Sequence, residues 1–283
     1  PKKFKQHALP LFLEGIVHAM KLERDPARAR ALYQAVRQSP LFDKKLKMYK
    51  VNADISGESE ELGRARIFPR GWLENESIWL HMEYKYLLEL LRAGLYKEFY
   101  DSLRQTAVPF LDAEVYGRSV LENSSFLASS AHEDRSLHGQ GFVARLSGST
   151  AEFVHIWLWM SIGQNPFVIN EREELCLHFQ PVLDRTMFTQ KPSNASRLNR
   201  KGKWECLSFP KNSCAFHFLA STLVVYHNPG MKNIFPGGDY QIEKIVLTYS
   251  TGKAVCLTEG FIGAPYAGDV RDGKVDRIDV YLV

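Results

Sequence analysis

The chain has 283 residues, of which 45% are hydrophobic and 24% charged, and a formal net charge of +4. That is the composition of a globular protein, long enough for one large or two ordinary domains. It contains no apolar run of the roughly 18 residues a membrane span requires, and no apolar N-terminal stretch of the signal-peptide kind. A cytoplasmic protein without a membrane role is the expectation.

The positive charge is concentrated early. Residues 1–50 hold twelve Lys and Arg against four Asp and Glu. A nucleic-acid partner would need such a patch, but no motif of that class accompanies it, and a solvated helix face with a terminal arm accounts for it. The chain opens on Pro rather than Met, and a processed or trimmed piece of a longer polypeptide is the expectation.

In chain order, residues 11–21 and 26–37 have helical periodicity and predict a helical hairpin. Asp25 is placed as N-cap, with Pro26 at the first helical position. A long polar connection over residues 54–71 leads to a predicted helix that opens with Glu74 and runs to Leu91. A short helix follows at 97–106, then an irregular polar region at 112–145, then an apolar helix at 150–162. Beyond Asn165 the period becomes two. Strands are predicted at residues 175–181, 204–209, 215–220, 221–227, 241–249, 254–258 and 278–283, separated by Gly- and Pro-containing turns. Helices first and strands later make an α+β chain with segregated layers, divided into residues 1–170 and 171–283, the second an antiparallel sheet or sandwich. The four cysteines lack metal-ligand spacing and read as buried free thiols of a reducing compartment, with disulfide pairing left open.

Three stretches carry candidate chemistry. On a helix at 100° per residue, Glu74, Ser77 and His81 would share one polar stripe. An acid-rich first turn with a hydrogen-bonded core histidine gives the same pattern. Ser147, Gly148 and Ser149 stand where the apolar helix begins. Glycine there lets a backbone approach an anion closely, the free N–H groups of the first turn point at it, and Arg145 adds charge. Ser149 and Glu152 equally have the spacing of a capping box. Between them lies a loop with Asp112, Tyr116, Arg118, Glu122 and Asn123. Its mixture of donors and acceptors suits a polyhydroxylated ligand, or a solvated surface. The five Trp serve a sugar platform or a core equally well. The histidines are too irregularly spaced for a metal site, and no metal is expected.

These stretches, in this order, resemble the C-terminal part of cellobiose phosphorylase and its relatives, more closely the large cellobiose-phosphorylase-like proteins of bacteria. The family pattern Glu-Asn-x-x-Ile-aromatic-x-His stands here as Glu74-Asn75-Glu76-Ser77-Ile78-Trp79-Leu80-His81. A later Thr-Gly-Ser at a helix start is matched by Ser147-Gly148-Ser149, with the hydroxyl retained. Tyr116 lies in a loop similar to one between these motifs. The resemblance implies the second half of an (α/α)6 toroid followed by a C-terminal β-sandwich-like domain, because a complete toroid needs about 300 residues. It implies phosphate bound by His81, Ser147, Gly148 and Ser149, with Arg145 adding charge, and sugar contacts from Trp72, Glu74, Asn75, Tyr116, Arg118, Glu122 and Asn123. The family's general acid lies in an Asp-Trp-Asn-Asp-like segment that this chain lacks, so that acid is expected upstream or on a partner subunit.

The implied function is inverting phosphorolysis or synthesis of a β-glucoside-type bond, with inorganic phosphate as co-substrate, no cofactor, and an oligosaccharide or sugar 1-phosphate as ligand. A homodimer is compatible with it. Two alternatives stand beside it. One is a hydrolase or transglycosylase on the same toroid, using Glu76, Asp112 or Glu122. The other is a non-catalytic carbohydrate-binding fragment.

Overall fold

The computed structural model describes Lys3 and residues 6–143, 147–199 and 202–283, with Ser147 described by its backbone alone. The chain is α+β and forms two compact units, Pro1–Ile156 and Trp157–Val283. Among the described residues no helix is long and apolar enough to cross a membrane.

The first unit begins with α1 (Leu13–Leu22) and α2 (Pro26–Gln38). Asp25 caps α2 by accepting from the Ala27 N–H at 2.9 Å, ahead of the proline. The ribbon β1 (Phe42–Asp43) and β2 (Met48–Tyr49) leads through the polar connection to β3 (Ile78–Trp79), which feeds α3 (Leu80–Arg92) directly. Helix α3 is the centre of the unit. Leu80, Tyr84, Leu87, Leu88 and Leu91 are all buried, and α1 and α4 (Tyr96–Thr106) both pack on it. The one-turn α5 (Ala113–Tyr116) precedes β4 (Phe126–Leu127) and β5 (Gly141–Phe142), which complete a three-stranded sheet with β3. Helix α6 (Ser147–Ile162) follows.

One expectation fails here. The stretch from Glu74 is not helical until Leu80. Trp72 and Asn75 instead exchange backbone hydrogen bonds across a tight turn, and Leu73 and Glu76 have φ of 46° and 59°. The reason is local side-chain competition with the helix. The Ser77 hydroxyl and the Trp79 indole N–H both donate to the Leu73 carbonyl. The Asn75 amide accepts from the Ile55 N–H and donates to the Phe68 carbonyl. Glu74, Ser77 and His81 therefore share no helical stripe.

The second unit holds β6 (Phe167–Ile169), β7 (Leu175–His178), β8 (Ser193–Leu198), β9 (Trp204–Phe209), β10 (Ser213–Phe218), β11 (Thr222–His227), β12 (Ile242–Tyr249), β13 (Ala254–Leu257), β14 (Phe261–Ile262), α7 (Tyr266–Arg271) and β15 (Val275–Leu282). Its main sheet has the order β10-β11-β15-β12-β13. All neighbours are antiparallel except β11 and β15, which run parallel with Val225 opposite Asp279. Two smaller sheets, β14-β7-β6 and the β8–β9 ribbon, accompany it. The cysteines are unpaired, and Cys176 is buried. Cys206 and Cys256 are exposed, contrary to the buried reading, because alternate residues of β9 and β13 face solvent.

A charged cluster ties the two parallel strands. Asp279 accepts from Arg277 Nε and Nη2 at 2.7 Å each, and His227 Nε2 lies 2.7 Å from Asp279 Oδ1. Burial alone would raise the Asp279 carboxyl, but the hydrogen bonds from His227 and Arg277 outweigh it and hold it below its ordinary value. The stability this contributes is present above the unfolded carboxyl value of about 4, and is lost as pH falls through the lower folded value. Asp279→Asn is expected to cost about 2 kcal/mol at neutral pH and to flatten the acid limb of stability. Thermal midpoints measured from neutral to strongly acid pH, for parent and variant, check both.

Candidate functional site

The site is assembled where the starts of α3 and α6 meet within the first unit. His81 is the second residue of α3 and stays partly open, with its side chain 31% exposed. Gly148 is the second residue of α6 and lies against the imidazole: a Cβ built there would stand 2.8 Å from His81 Nδ1. Only a residue without a side chain permits that approach. Ser149 is fully buried beside it. The N-terminal end of α6, where the helix dipole is positive, thus lies beside the histidine. Ser147 is placed by its backbone only, and Arg145 lies outside the described residues.

Glu152, one turn further along α6, brings Oε1 to 3.7 Å from His81 Nε2 and Oε2 to 3.9 Å from His155 Nδ1. Helix α6 begins at Ser147, two residues before Ser149, and Glu152 on it faces the histidine. A spacing of four from Gly148 put it on the same helix face, a signal that the capping pattern obscured. Tyr84, one turn beyond His81, is a second residue that sequence reasoning passed over. Its hydroxyl donates to Asn123 Oδ1 at 2.9 Å, and its ring lies 5.9 Å from that of Phe153 on α6. The Leu80 N–H donates to the Ser125 carbonyl. Asn123 is thereby anchored to the same end of α3 as His81.

The other predicted residues fall into three groups. Trp72 joins an aromatic cluster, 4.5 Å from Phe142, 5.1 Å from Phe126 and 5.7 Å from His132, ring centre to ring centre. Asn75 is fully buried, and its amide is spent on backbone and on Ser56. Tyr116 is buried in the loop, donating to the Glu122 carbonyl and accepting from the Ser124 N–H.

Glu74 pairs with Arg64 at 3.3 Å, and Arg118 with Glu122 at 3.0 Å. Glu74 Oε2 and Arg118 Nε are nevertheless buried with no hydrogen-bond partner among the described residues. Asp112 is exposed and caps α5 through the Glu114 N–H.

Glu76 is only 2% exposed, and both its oxygens are held by cations: Lys50 Nζ at 2.5 Å and Arg70 Nε at 2.5 Å. Arg70 also reaches Asp54 at 3.3 Å. Deeper on α3, Glu83 is completely buried, and burial pushes its carboxyl well above the usual range despite the Tyr49 N–H it accepts. It belongs to the core of the unit rather than to the open site.

Among the described residues no three side chains of metal-ligand type are gathered together. No protein-family model matches the chain, and no curated protein sequence matches it.

Proposed function

We propose that this chain is the phosphate-holding part of a carbohydrate-active enzyme that breaks or makes a glycosidic bond by phosphorolysis. The observation that carries the reading is the contact of Gly148 with His81. It sets an imidazole against the N-terminal end of a 16-residue helix, whose dipole favours a small oxyanion. Glu152 beside His81 offsets part of the positive charge, so a dianion calls for a further cation. Arg145 is the residue of this chain that we assign to that role. The helical unit would then belong to an (α/α)6 toroid, with the second unit as its sandwich-like companion.

In inverting phosphorolysis an acid protonates the leaving sugar oxygen while phosphate attacks the anomeric carbon from the opposite face, in place of the water and base of an inverting hydrolase. His81 and the N–H groups of α6 would hold phosphate in line with the bond. The acid would come from outside this chain. Glu74 Oε2 and Arg118 Nε, an acceptor and a donor buried without partners among the described residues, are suited to sugar hydroxyls.

A reading with water as nucleophile has less support. Glu76 is engaged by two cations, Glu122 by Arg118, and Asp112 by a helix cap. Calorimetric titration with inorganic phosphate tests the proposal. His81→Ala is expected to weaken binding about tenfold, the worth of one charge-assisted hydrogen bond. It should also abolish phosphate-dependent turnover by the natural polypeptide. Equal affinity in parent and variant would sink the assignment.

A further inference from the structure

We propose that Glu152 is a positioning residue: it sets which ring nitrogen of His81 carries the proton, and the site thereby selects an oxyanion that brings a proton of its own. Phosphate is such an anion, and sulfate is not. The inference rests on the reading of His81 as the anion holder and adds the protonation state of the anion that site takes.

The two ring nitrogens stand in opposite fields. Glu152 Oε1 lies 3.7 Å from His81 Nε2, an ion-pair distance, and a carboxylate favours a proton on the nitrogen beside it. At the other nitrogen the sign reverses. A Cβ built on Gly148 would stand 2.8 Å from Nδ1, 2.9 Å from Cε1 and 3.0 Å from Cγ, so the second residue of α6 lies against the ring nearest Nδ1. The N-terminal end of a helix is positive and disfavours a proton there. Both fields put the proton of the neutral ring on Nε2 and leave Nδ1 as a bare acceptor.

The other charged groups near the ring are engaged with one another or with Glu152. On α3, Lys85 is one turn beyond His81, and its Nζ lies 3.6 Å from Glu14 Oε1 of α1. Glu14 also stands 4.0 Å from His18 Nε2. On α6, His155 Nδ1 lies 3.9 Å from Glu152 Oε2. Arg145, ahead of α6, lies outside the described residues. Among the described residues Glu152 is the carboxylate paired with His81.

The charge of the ring decides how it treats an anion. An imidazolium donates from Nδ1 to any oxyanion. The neutral ring presents a lone pair at Nδ1, which repels an oxygen without hydrogen and accepts from one that carries it. Monohydrogen phosphate still has a P–O–H group when the ring is neutral, whereas sulfate has none. A site built to hydrogen-bond a hydroxyl rejects the analogue that lacks it, because a polar group is then left unpaired.

The test is NMR of the His81 ring nitrogens, assigned with His81→Ala, beside calorimetric titration of the whole chain with sulfate and with inorganic phosphate. With no anion present, at a pH where the ring signals show it neutral, the parent is expected to carry the proton on Nε2. In Glu152→Gln, which removes the charge and keeps the shape, the proton should shift towards Nδ1. At that pH the parent should bind phosphate at least about tenfold more tightly than sulfate. Glu152→Gln should narrow that preference about threefold or more. Where the ring is an imidazolium, the parent should bind both anions within about threefold of each other. A parent ring protonated on Nδ1 overturns the proposal, as do phosphate and sulfate bound alike by the neutral form, and both leave the phosphate reading in place. Binding of neither anion overturns the phosphate reading and the selectivity with it, and is told apart because the ring signals report the proton with no anion present.

Discussion

Replacing Gly148 with alanine should weaken phosphate binding about a hundredfold while leaving the fold as stable as before, to within about 1 kcal/mol. The two halves of this expectation have separate causes. Alanine is the better helix former, and the backbone of α6 gains from the change. The added methyl, however, would stand 2.8 Å from His81 Nδ1 and 2.9 Å from Cε1. The imidazole is the movable partner, so it must swing away from the start of α6. An oxyanion would then lose the histidine and its close approach to the first-turn N–H groups together, two hydrogen bonds of the charge-assisted kind. A thermal melt beside a phosphate titration separates the effects. Undiminished phosphate affinity in Gly148→Ala would mean that the glycine serves packing alone.

Lys50→Met should destabilise the first unit by about 3 kcal/mol or more, the largest stability loss we expect from a single change. Lys50 is 8% exposed and Glu76 2%. The carboxylate lies between Lys50 and Arg70, and it is held on a backbone with φ of 59°. Methionine fills the space of the lysine stem but leaves Glu76 with a single cation. A buried charge with too few partners is far more costly than a well-packed apolar pair in its place. The strain at Glu76 is tolerated because Asn52 accepts from its N–H at 2.7 Å and the two cations fix its side chain. Urea denaturation of parent and variant measures the loss. A shift below about 1 kcal/mol would show that water already reaches the cluster.

How much of this was legible in the sequence depends on the range of the forces involved. Asp25-Pro26 announced the start of α2, because a cap and a fixed φ are local properties. The period-two runs announced β9, β11 and β12 within a residue or so at their ends. The proximity of His81 and Gly148 was foreseeable only through the family resemblance, since 67 positions of chain separate them.

The turn at Trp72–Asn75 has no signature in its own sequence. A helical period runs through a stretch whose conformation is decided by Ile55 and Phe68, distant in sequence, which bond the Asn75 amide. The pairing of Glu76 with Lys50 was equally hidden, as was the parallel placement of β15 against β11. No periodicity records which strand a given strand chooses as neighbour.

That last placement has a consequence for how the molecule comes into being. β15 is the final strand in chain order yet the third of five across the sheet, with β10 and β11 on one side and β12 and β13 on the other. Until it arrives, the sheet is two separate hairpins, each with an open edge towards the missing middle. On a ribosome adding roughly 5–20 residues per second, the helical unit has emerged while these hairpins still wait for residues 275–282. The main sheet of the second unit therefore closes late, through non-local pairings such as that of Val225 with Asp279. In that interval its unpaired edges are the part of the nascent protein most exposed to mispairing with a neighbouring chain.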